Sequence, residues 1–424
     1  MTLNLTIFAP PKNKNPMAPK KHFYLILILG SLAALGPFSI DMYLPGFVDI
    51  AQDLKTTEST VALSLSSFFI GISAGQLLYG PLLDKYGRKK PLYFGLVLYI
   101  LSSFLCLAVD DVNQLIVLRF VQAIGSCATA VASVAMVRDL FSVEESPKVF
   151  ASLMLVIAVS PMLAPTAGGY LIAALGWKYV FVFLGLMAVL ILLASIFKLP
   201  ESYKPDPNYS LKPKPILTSF FGVLKNPQFY TYALIGSVTF AGLFAYVASS
   251  PTVFMKIYAV SKTGYGWIFA ILSVFFIGSS QVNSLLLKWF SSKKIINWAL
   301  LAQCAVSAVF LVFACNDWLG LYSTIIFIAL FLCCLGLINP NAAALSLAPF
   351  SKNAGSASAL MGALQMGLGA FASVMVSLFS EHSVIPMPLV MTIAAFIALF
   401  ALWMGKRFIK TEVEASADST VMAH

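Results

Sequence analysis

Long apolar runs fill most of this 424-residue chain, and short polar loops separate them. A run of about 20 apolar residues can cross a membrane as a helix. Only 10% of the residues are charged, whereas soluble domains carry about 25%. We therefore predict an all-α integral membrane protein with twelve transmembrane helices. The spans are predicted near residues 23–44, 61–83, 91–109, 113–137, 149–173, 177–198, 227–255, 264–287, 295–315, 318–347, 355–379 and 386–408.

Charge alternates between the loops. One set is basic: Lys85, Arg88, Lys89, Lys90, Arg138, Lys148, Lys288, Lys293, Lys294, Lys406, Arg407 and Lys410. The other set is acidic: Asp49, Asp53, Glu58, Asp110, Asp111, Asp317 and Glu381. Cytoplasmic loops of membrane proteins carry the excess of Lys and Arg. The basic loops are therefore predicted to be cytoplasmic, and an even number of spans places both termini on that side.

The formal charge of +10 does not indicate a nucleic-acid partner, because its distribution follows the spans. Of the 27 Lys and Arg, Arg119 lies inside a span and four lie on the acidic side: Lys55, Lys178, Lys256 and Lys262. The rest lie on the basic side, where they favour contact with anionic lipid. We expect the lipid bilayer and no nucleic acid as partner.

The six cysteines lie mostly in apolar runs without C-x-x-C spacing, and the three histidines are scattered. We expect buried thiols, no metal site and no cofactor. The first 22 residues contain lysines but no apolar core, so a cleaved signal peptide is not expected. Translation could start at Met1 or at Met17.

A segment rich in Pro and Lys, residues 200–227, divides the spans into two groups of six. We predict two pseudo-symmetric six-helix bundles, residues 23–198 and 227–410. A cytoplasmic linker, residues 199–226, joins them, and residues 1–22 and 411–424 form a cytoplasmic extension and tail. We expect a monomer.

Asp41 follows about eighteen largely apolar residues in the first span, between Pro37 and Pro45. Acids inside a membrane are costly and usually line a cavity or carry protons. An acid at this depth can gain and lose a proton during a transport cycle. Asp41 is the first candidate for proton coupling; the alternative is a position in the wetted outer interface.

Arg119 lies in the fourth span, with Gln122 and Gly125 on the same helical face. An arginine cannot discharge by losing its proton. It therefore needs a carboxylate, a carbonyl oxygen or water nearby. We expect Arg119 to form a coupled pair with Asp41; the alternative is a structural helix anchor.

Three stretches resemble motifs of the major facilitator superfamily. Residues 80–90, with the pattern G-x-L-x-D-x-x-G-R-K-K, resemble its loop between helices 2 and 3. Residues 119–125 are similar to its second motif, R-x-x-Q-G/A-x-G. Residues 160–169 resemble its antiporter motif, although Ala164-Pro165 stands where that motif usually has Gly-Pro.

Further stretches are similar to one subfamily, the bicyclomycin- and chloramphenicol-resistance exporters (Bcr/CflA). They are Asp41-Met-Tyr-Leu-Pro45, Ala164-Pro-Thr-Ala-Gly-Gly169 with Gly176-Trp177, Val137-Arg-Asp139-Leu-Phe141, Phe244-Ala-Tyr246-Val-Ala-Ser-Ser-Pro251, Asn339-Pro-Asn341 and Gly355-Ser-Ala-Ser-Ala-Leu-Met-Gly-Ala-Leu-Gln365. The resemblance implies the major facilitator fold and a drug:proton antiporter of the bacterial inner membrane.

The resemblance also implies residue roles. Arg119 would assist proton transfer by biasing a nearby acid. A cytoplasmic charge latch would join helices 2 and 4 to the helix that begins near Gly355; its residues are Gly80, Asp84, Gly87, Arg88 and Asp139. The antiporter-motif helix would contain Pro161, Pro165, Gly168 and Gly169.

The second half has no acid or arginine in the interior of its predicted spans; Arg407 lies at the cytoplasmic end of the last one. We therefore expect the first half to handle protons and the second to offer substrate a largely apolar, aromatic- and Met-rich surface. The candidate substrate-binding residues are Tyr43, Gln122, Tyr246, Asn341 and Gln365.

These features predict a proton-coupled multidrug efflux antiporter that exports amphipathic small molecules by alternating access, with the proton gradient as its energy source. Export of an endogenous metabolite or siderophore, and proton-coupled solute symport, remain alternatives. A transporter-like protein that moves nothing is a further one. An enzyme is not expected, because no nucleophile–base or metal-ligand spacing is found.

Overall fold

The computed structural model describes residues 19–142, 145–206, 211, 213–350, 354–379, 383–409 and 413. Within this part, twelve helices are long and apolar enough to cross a membrane, which confirms the predicted number of spans. The expectations for residues 1–18, Glu381, Lys410 and the tail from residue 414 lie outside the described residues.

The described residues of the first half form seven α-helices. They are α1 (Pro19–Asp41), α2 (Phe47–Asp53), α3 (Glu58–Tyr86), α4 (Lys89–Leu105), α5 (Val112–Leu140), α6 (Ser146–Leu175) and α7 (Lys178–Lys198). The first span differs from the prediction, because it is not one continuous α-helix. It ends at Asp41, passes through a 3₁₀ turn at Leu44–Gly46 and continues as α2.

The second half repeats the six-span plan after a linker helix that was not predicted. The linker helix is α8 (Pro213–Leu224). The spans are α9 (Pro227–Pro251), α10 (Lys262–Leu286), α11 (Ser292–Cys315), α12 (Leu321–Leu347), α13 (Ala354–Ser377) and α14 (Pro386–Gly405). A π-helical segment, Thr252–Ile257, extends α9. Such segments are rare and occur mostly at functional sites.

Polar side chains at loop ends explain where several helices begin. Thr57 accepts a hydrogen bond from the backbone N–H of Thr60 at 3.2 Å, one turn into α3. Asn226 does the same for two N–H groups at the start of α9, at 2.9 and 3.2 Å. These side chains satisfy donors that have no partner inside the helix.

The two groups of six spans pack as two bundles. In the first, α1 packs against α5, α6 and α7, and α5 packs against α3 and α4. In the second, α9 packs against α12, α13 and α14, and α12 packs against α10 and α11. The bundles meet along α3 with α13 and along α6 with α10. Any site between the bundles is therefore bordered by these four helices.

The antiporter-motif residues lie in α6, which contains both Pro161 and Pro165. A Cβ atom added at Gly168 would lie within 2 Å of the Met42 carbonyl oxygen, at the break in the first span. A Cβ atom at Gly169 would lie 2.7 Å from the carbonyl oxygen of Lys262, at the start of α10. Small residues permit such close helix approach, so this stretch of α6 joins the broken span to the second bundle.

We predict that Gly168→Ala destabilises the protein by about 1–3 kcal/mol, the usual cost of overpacking. The matched control is Gly278→Ala in α10, where an added Cβ meets nothing within 4 Å. Thermal unfolding of purified protein in detergent compares the two variants. Equal melting temperatures for both would show that the close contact of α6 with Met42 is not required.

Candidate functional site

Asp41 is the last residue of α1 and lies inside the protein, with 5% of its surface exposed. The chain breaks its α-helical course directly after it. Pro37 lies inside α1 four residues earlier, where it removes one backbone donor. The acid is thus placed at a helix end within the first span.

Arg119 is completely buried among polar oxygens and aromatic rings. Its Nη1 donates to Gln122 Oε1 at 2.5 Å, and its Nη2 donates to the backbone carbonyl of Ser39 at 2.7 Å. The guanidinium carbon lies 4.3 Å from the ring centre of Tyr43 and 4.2 Å from that of Phe68. These ring faces stabilise the desolvated cation.

The expected direct contact between Arg119 and Asp41 is not seen. In the described part of the chain, no carboxylate lies within ion-pairing distance of Arg119. The guanidinium instead binds the last turn of α1 through Ser39, two residues before the acid. Carbonyl groups at a helix end lack partners inside the helix, and a cation there is favourable. Arg119 therefore holds the helix end that carries Asp41.

Polar groups of the first bundle extend this cluster. Gln122 Nε2 donates to Ser103 Oγ at 2.7 Å, and Ser39 Oγ shares a hydrogen bond of 2.6 Å with the hydroxyl of Tyr99. The Tyr43 hydroxyl lies 3.3 Å from Ser64 Oγ. Tyr43 and Gln122, both candidate substrate-binding residues, thus have their partners inside the first bundle.

The other three candidate substrate-binding residues lie in the second bundle. Asn341 Nδ2 donates to Asn283 Oδ1 at 2.6 Å, within that bundle. Gln365 Nε2 donates to Asn339 Oδ1 at 3.0 Å and remains half-buried. Tyr246 is buried and stacks on Phe269 with ring centres 5.6 Å apart. Its hydroxyl has no hydrogen-bond partner among the residues that the structure describes.

At one end of the molecule, Arg88 joins the ends of α3 and α5. Its Nη1 lies 2.8 Å from Asp84 Oδ1, and its Nε lies 2.8 Å from Asp139 Oδ2. Burial alone would lower the pKa of Arg88, but the two carboxylates outweigh it and raise the pKa above the ordinary value. We call this end the latch end. The turn depends on Gly87, whose φ of +82° favours glycine.

The start of the linker also binds the latch, which the sequence did not indicate. Glu201 accepts from the backbone N–H groups of Arg88 and Lys89 at 2.8 and 3.1 Å. Ser202 Oγ donates to Asp139 Oδ2 at 2.9 Å. The Tyr203 ring lies 4.3 Å from the guanidinium carbon of Arg88. The latch was also expected to join the helix that begins near Gly355. Neither Gly80 nor Gly355 is closely packed, since a Cβ atom added at either would meet nothing within 4 Å. The link to that helix therefore stays a prediction.

At the opposite end, two ion pairs connect the bundles. Lys256 Nζ lies 2.8 Å from Glu58 Oε2, and Lys262 Nζ lies 2.5 Å from Asp49 Oδ2. Both lysines belong to the second bundle and both acids to the first. We call these the cross-bundle ion pairs. A signal for them is present in the sequence, because these lysines are two of the four cations on the acidic side.

The cross-bundle ion pairs are partly exposed, so each is expected to contribute about 0.2–1 kcal/mol. We predict that Lys256→Glu lowers the thermal stability and that adding Glu58→Lys restores most of the loss. Unfolding in detergent at low ionic strength measures both variants. Lys55→Glu, at an exposed position, serves as the control. Failure of the double exchange to recover stability would contradict a direct charge interaction.

Comparison with protein families gives a match to the Major Facilitator Superfamily over residues 29–374. A bicyclomycin resistance protein homolog of Haemophilus influenzae is 31% identical over 382 residues, covering 90% of this chain and 96% of that protein. The MFS-type transporter YdgK of Bacillus subtilis is 33% identical, covering 90% and 95%. A chloramphenicol resistance protein of Pseudomonas aeruginosa is 27% identical, covering 85% of each chain.

Solved structures share the fold at low sequence identity. A bacterial homolog of the human lysosomal transporter Spinster, in an inward-facing, occupied conformation, has a TM-score of 0.72 at 14% identity, covering 92% of this chain and 98% of that one. A D-xylose-proton symporter has a TM-score of 0.69 at 14% identity, covering 94% and 99%. These likenesses concern the arrangement of the helices.

Proposed function

The chain belongs to the Major Facilitator Superfamily, in its Bcr/CflA branch, and we propose that it is a proton-coupled multidrug efflux antiporter. Its proposed cargo is an amphipathic small molecule, exported from the cytoplasm of a bacterium. The observation that carries the proposal is the buried Asp41 at the break of the first span, with Arg119 bound to the same helix end. Resistance proteins among its relatives support drugs as cargo.

The proposed cycle uses the charge of Asp41. An unpaired carboxylate in a closed interior costs several kcal/mol, so the acid crosses the closed state in its neutral form unless substrate accompanies it. Deprotonation toward the cytoplasm prepares the site for substrate. Protonation from the outer side releases the substrate there. The inward proton gradient then drives export, and no cofactor is needed.

Arg119 supports this cycle as a positioning residue. Its bond to the Ser39 carbonyl fixes the end of α1, the helix that carries Asp41. Because Arg119 is held by Gln122 and by aromatic rings, it does not neutralise Asp41 by direct pairing. Asp41 thus stays free to exchange its proton.

The substrate surface is proposed to lie between the bundles, near Tyr246 and Gln365. There the ring of Phe69 from α3 lies 4.0 Å, centre to centre, from that of Phe244 in α9. The ring of Phe240 meets that of Phe244 edge to face, with ring centres 5.2 Å apart. An amphipathic molecule would replace the contact between Phe69 and Phe244 when the bundles part. Tyr43, Gln122 and Asn341 remain proposals of lower priority, because they have partners within one bundle.

We propose that the latch end faces the cytoplasm, since its loops are basic. The inner membrane is the proposed location, with both termini cytoplasmic. The proposed domain bounds are those expected from the sequence. We propose that the protein is a monomer that contacts lipid and binds no nucleic acid. We also propose that it catalyses no reaction.

Everted membrane vesicles with a respiration-driven pH gradient test the function. We expect chloramphenicol or bicyclomycin, added outside, to dissipate part of the gradient in vesicles that contain the wild-type protein. Asp41→Asn should abolish this response because the residue can no longer carry a proton. Asp110→Asn, at an exposed position, should retain it. A response of equal size in Asp41→Asn would contradict the assignment of Asp41.

The same assay separates the alternatives. Proton movement only when solute is loaded inside the vesicles would indicate symport. A response to an endogenous metabolite or siderophore, but to no drug, would indicate a narrow exporter. Absence of substrate-dependent proton movement with every compound would favour a protein that transports nothing.

A further inference from the structure

The linker helix α8 carries a stripe of large apolar side chains that its own packing leaves uncovered. Leu217, Phe221 and Leu224 are 50%, 60% and 37% exposed. Their spacing of four and three residues places them on one face of the helix. An uncovered apolar face of this kind fits an apolar partner better than water. The other faces of α8 and its place in the fold indicate which partner that is.

A second face of α8 packs against the second bundle. Ser219 Oγ donates to Ser356 Oγ at 3.1 Å, in the first turn of α13. Phe220 and Val223 belong to a hydrophobic cluster that also contains residues of α9, α12 and α13, and Leu77 of α3 packs against it. The helix α8 therefore supports the start of α13 close to the place where α3 of the first bundle meets it.

The third face of α8 is polar. Thr218, Gly222 and Lys225 are exposed. A Cβ atom added at Gly222 would meet nothing within 4 Å. Because an α-helix has 3.6 residues per turn, Gly222 points away from the stripe and Lys225 lies beside it. A helix with one face on the protein, one apolar face and one polar face is typical of a membrane surface.

The chain holds α8 at a membrane face. Only Lys225 and Asn226 separate its last residue from Pro227, where the span α9 begins. A chain segment of three residues covers at most about 10 Å. The end of α8 therefore lies within that distance of the end of a membrane span. This is the end that the basic loops mark as cytoplasmic.

The charge of the linker matches an anionic membrane. Residues 207–227 contain three lysines and no acidic residue. Lys214 lies in the first turn of α8, and Lys225 follows its last residue. Lysine side chains can lie along an apolar surface and still reach the headgroups. Each lysine near an anionic lipid surface strengthens the attraction. This complementarity, together with the nearby span, favours lipid over a soluble protein as the partner.

We propose that α8 is an interfacial helix whose stripe of Leu217, Phe221 and Leu224 inserts into the cytoplasmic leaflet, where its lysines bind anionic phospholipid. The inference goes beyond the proposed antiport and does not depend on it. Because α8 also holds the start of α13 through Ser219, the leaflet supports the second bundle near its junction with α3. The lipid composition then sets how firmly that junction is held.

The reaction of single cysteines with a membrane-impermeant thiol reagent tests the position of the stripe. Leu217→Cys and Gly222→Cys are each made in the full-length protein without its six native cysteines and placed in lipid nanodiscs, which leave both membrane faces accessible. We expect Leu217→Cys to react about tenfold more slowly, because lipid covers it; burial of one large apolar side chain has an effect of this size. Elution as a single species in size-exclusion chromatography verifies that each variant is folded.

A fluorescent label on the same two cysteines identifies what covers the stripe. Nanodisc lipids that carry a nitroxide on the acyl chain quench a fluorophore only when they contact it. We expect quenching of the label on Leu217→Cys and little quenching of the label on Gly222→Cys.

The role of anionic lipid is tested with nanodiscs of phosphatidylcholine, with and without phosphatidylglycerol. We expect phosphatidylglycerol to slow the reaction of Leu217→Cys relative to Gly222→Cys. Adding Lys225→Gln should raise this relative rate by about fivefold in the anionic nanodiscs, the contribution of one lysine at a membrane surface. It should have no effect in the neutral nanodiscs. Lys288→Gln, which changes an exposed lysine of another basic loop, is the matched control and should have no effect in either.

Three results would overturn the inference. Equal reaction rates and equal quenching at the two cysteines would show that the stripe is open to the cytoplasm. A slow reaction of Leu217→Cys without quenching would show that protein covers the stripe. A relative rate that responds neither to phosphatidylglycerol nor to Lys225→Gln would show that anionic lipid is not the ligand. The drug response of everted vesicles is a separate measurement, so failure of the proposed antiport would leave these results unchanged.

Discussion

Arg119 donates from Nη2 to the carbonyl of Ser39, 2.7 Å away, where neither group is exposed to solvent. A cation cannot lie there unless other groups balance its charge. The last turn of α1, the oxygen of Gln122 and two ring faces supply that balance. The same bond holds the end of the helix on which Asp41 lies. Because of it, a costly buried acid has a defined position at the end of α1.

In the proposed cycle, contacts at the two ends of the molecule decide which side can reach this acid. The latch joins α3, α5 and the start of the linker through Arg88 and Glu201. The cross-bundle ion pairs hold the opposite end through partly exposed charges of modest strength. Weak, breakable contacts suit an end that must open in each cycle. Buried aromatic contacts between the bundles, such as Phe69 with Phe244, also hold the bundles together. They do so without desolvating a charged group.

The twelve spans followed from the sequence because run length and polarity alone set what can cross a bilayer. Asp41 and Arg119 could be selected for a similar reason, since buried charge is rare and costly. Their lack of direct contact could not be predicted. Every residue has a backbone carbonyl, so the sequence does not show that Arg119 binds the carbonyl of Ser39. Lys256 and Lys262 did carry a signal, as cations on the acidic side, but their partners depend on how the bundles meet.

Proton release on substrate binding tests the central claim most directly. Purified protein in weakly buffered detergent solution at pH 8 is mixed with chloramphenicol or bicyclomycin, and a pH-sensitive dye reports the protons released. The account predicts release with the wild-type protein, because substrate and proton compete at Asp41. It predicts none with Asp41→Asn, although that variant still binds the drug. Equal release from both proteins would contradict the account, since the proton would then come from another group.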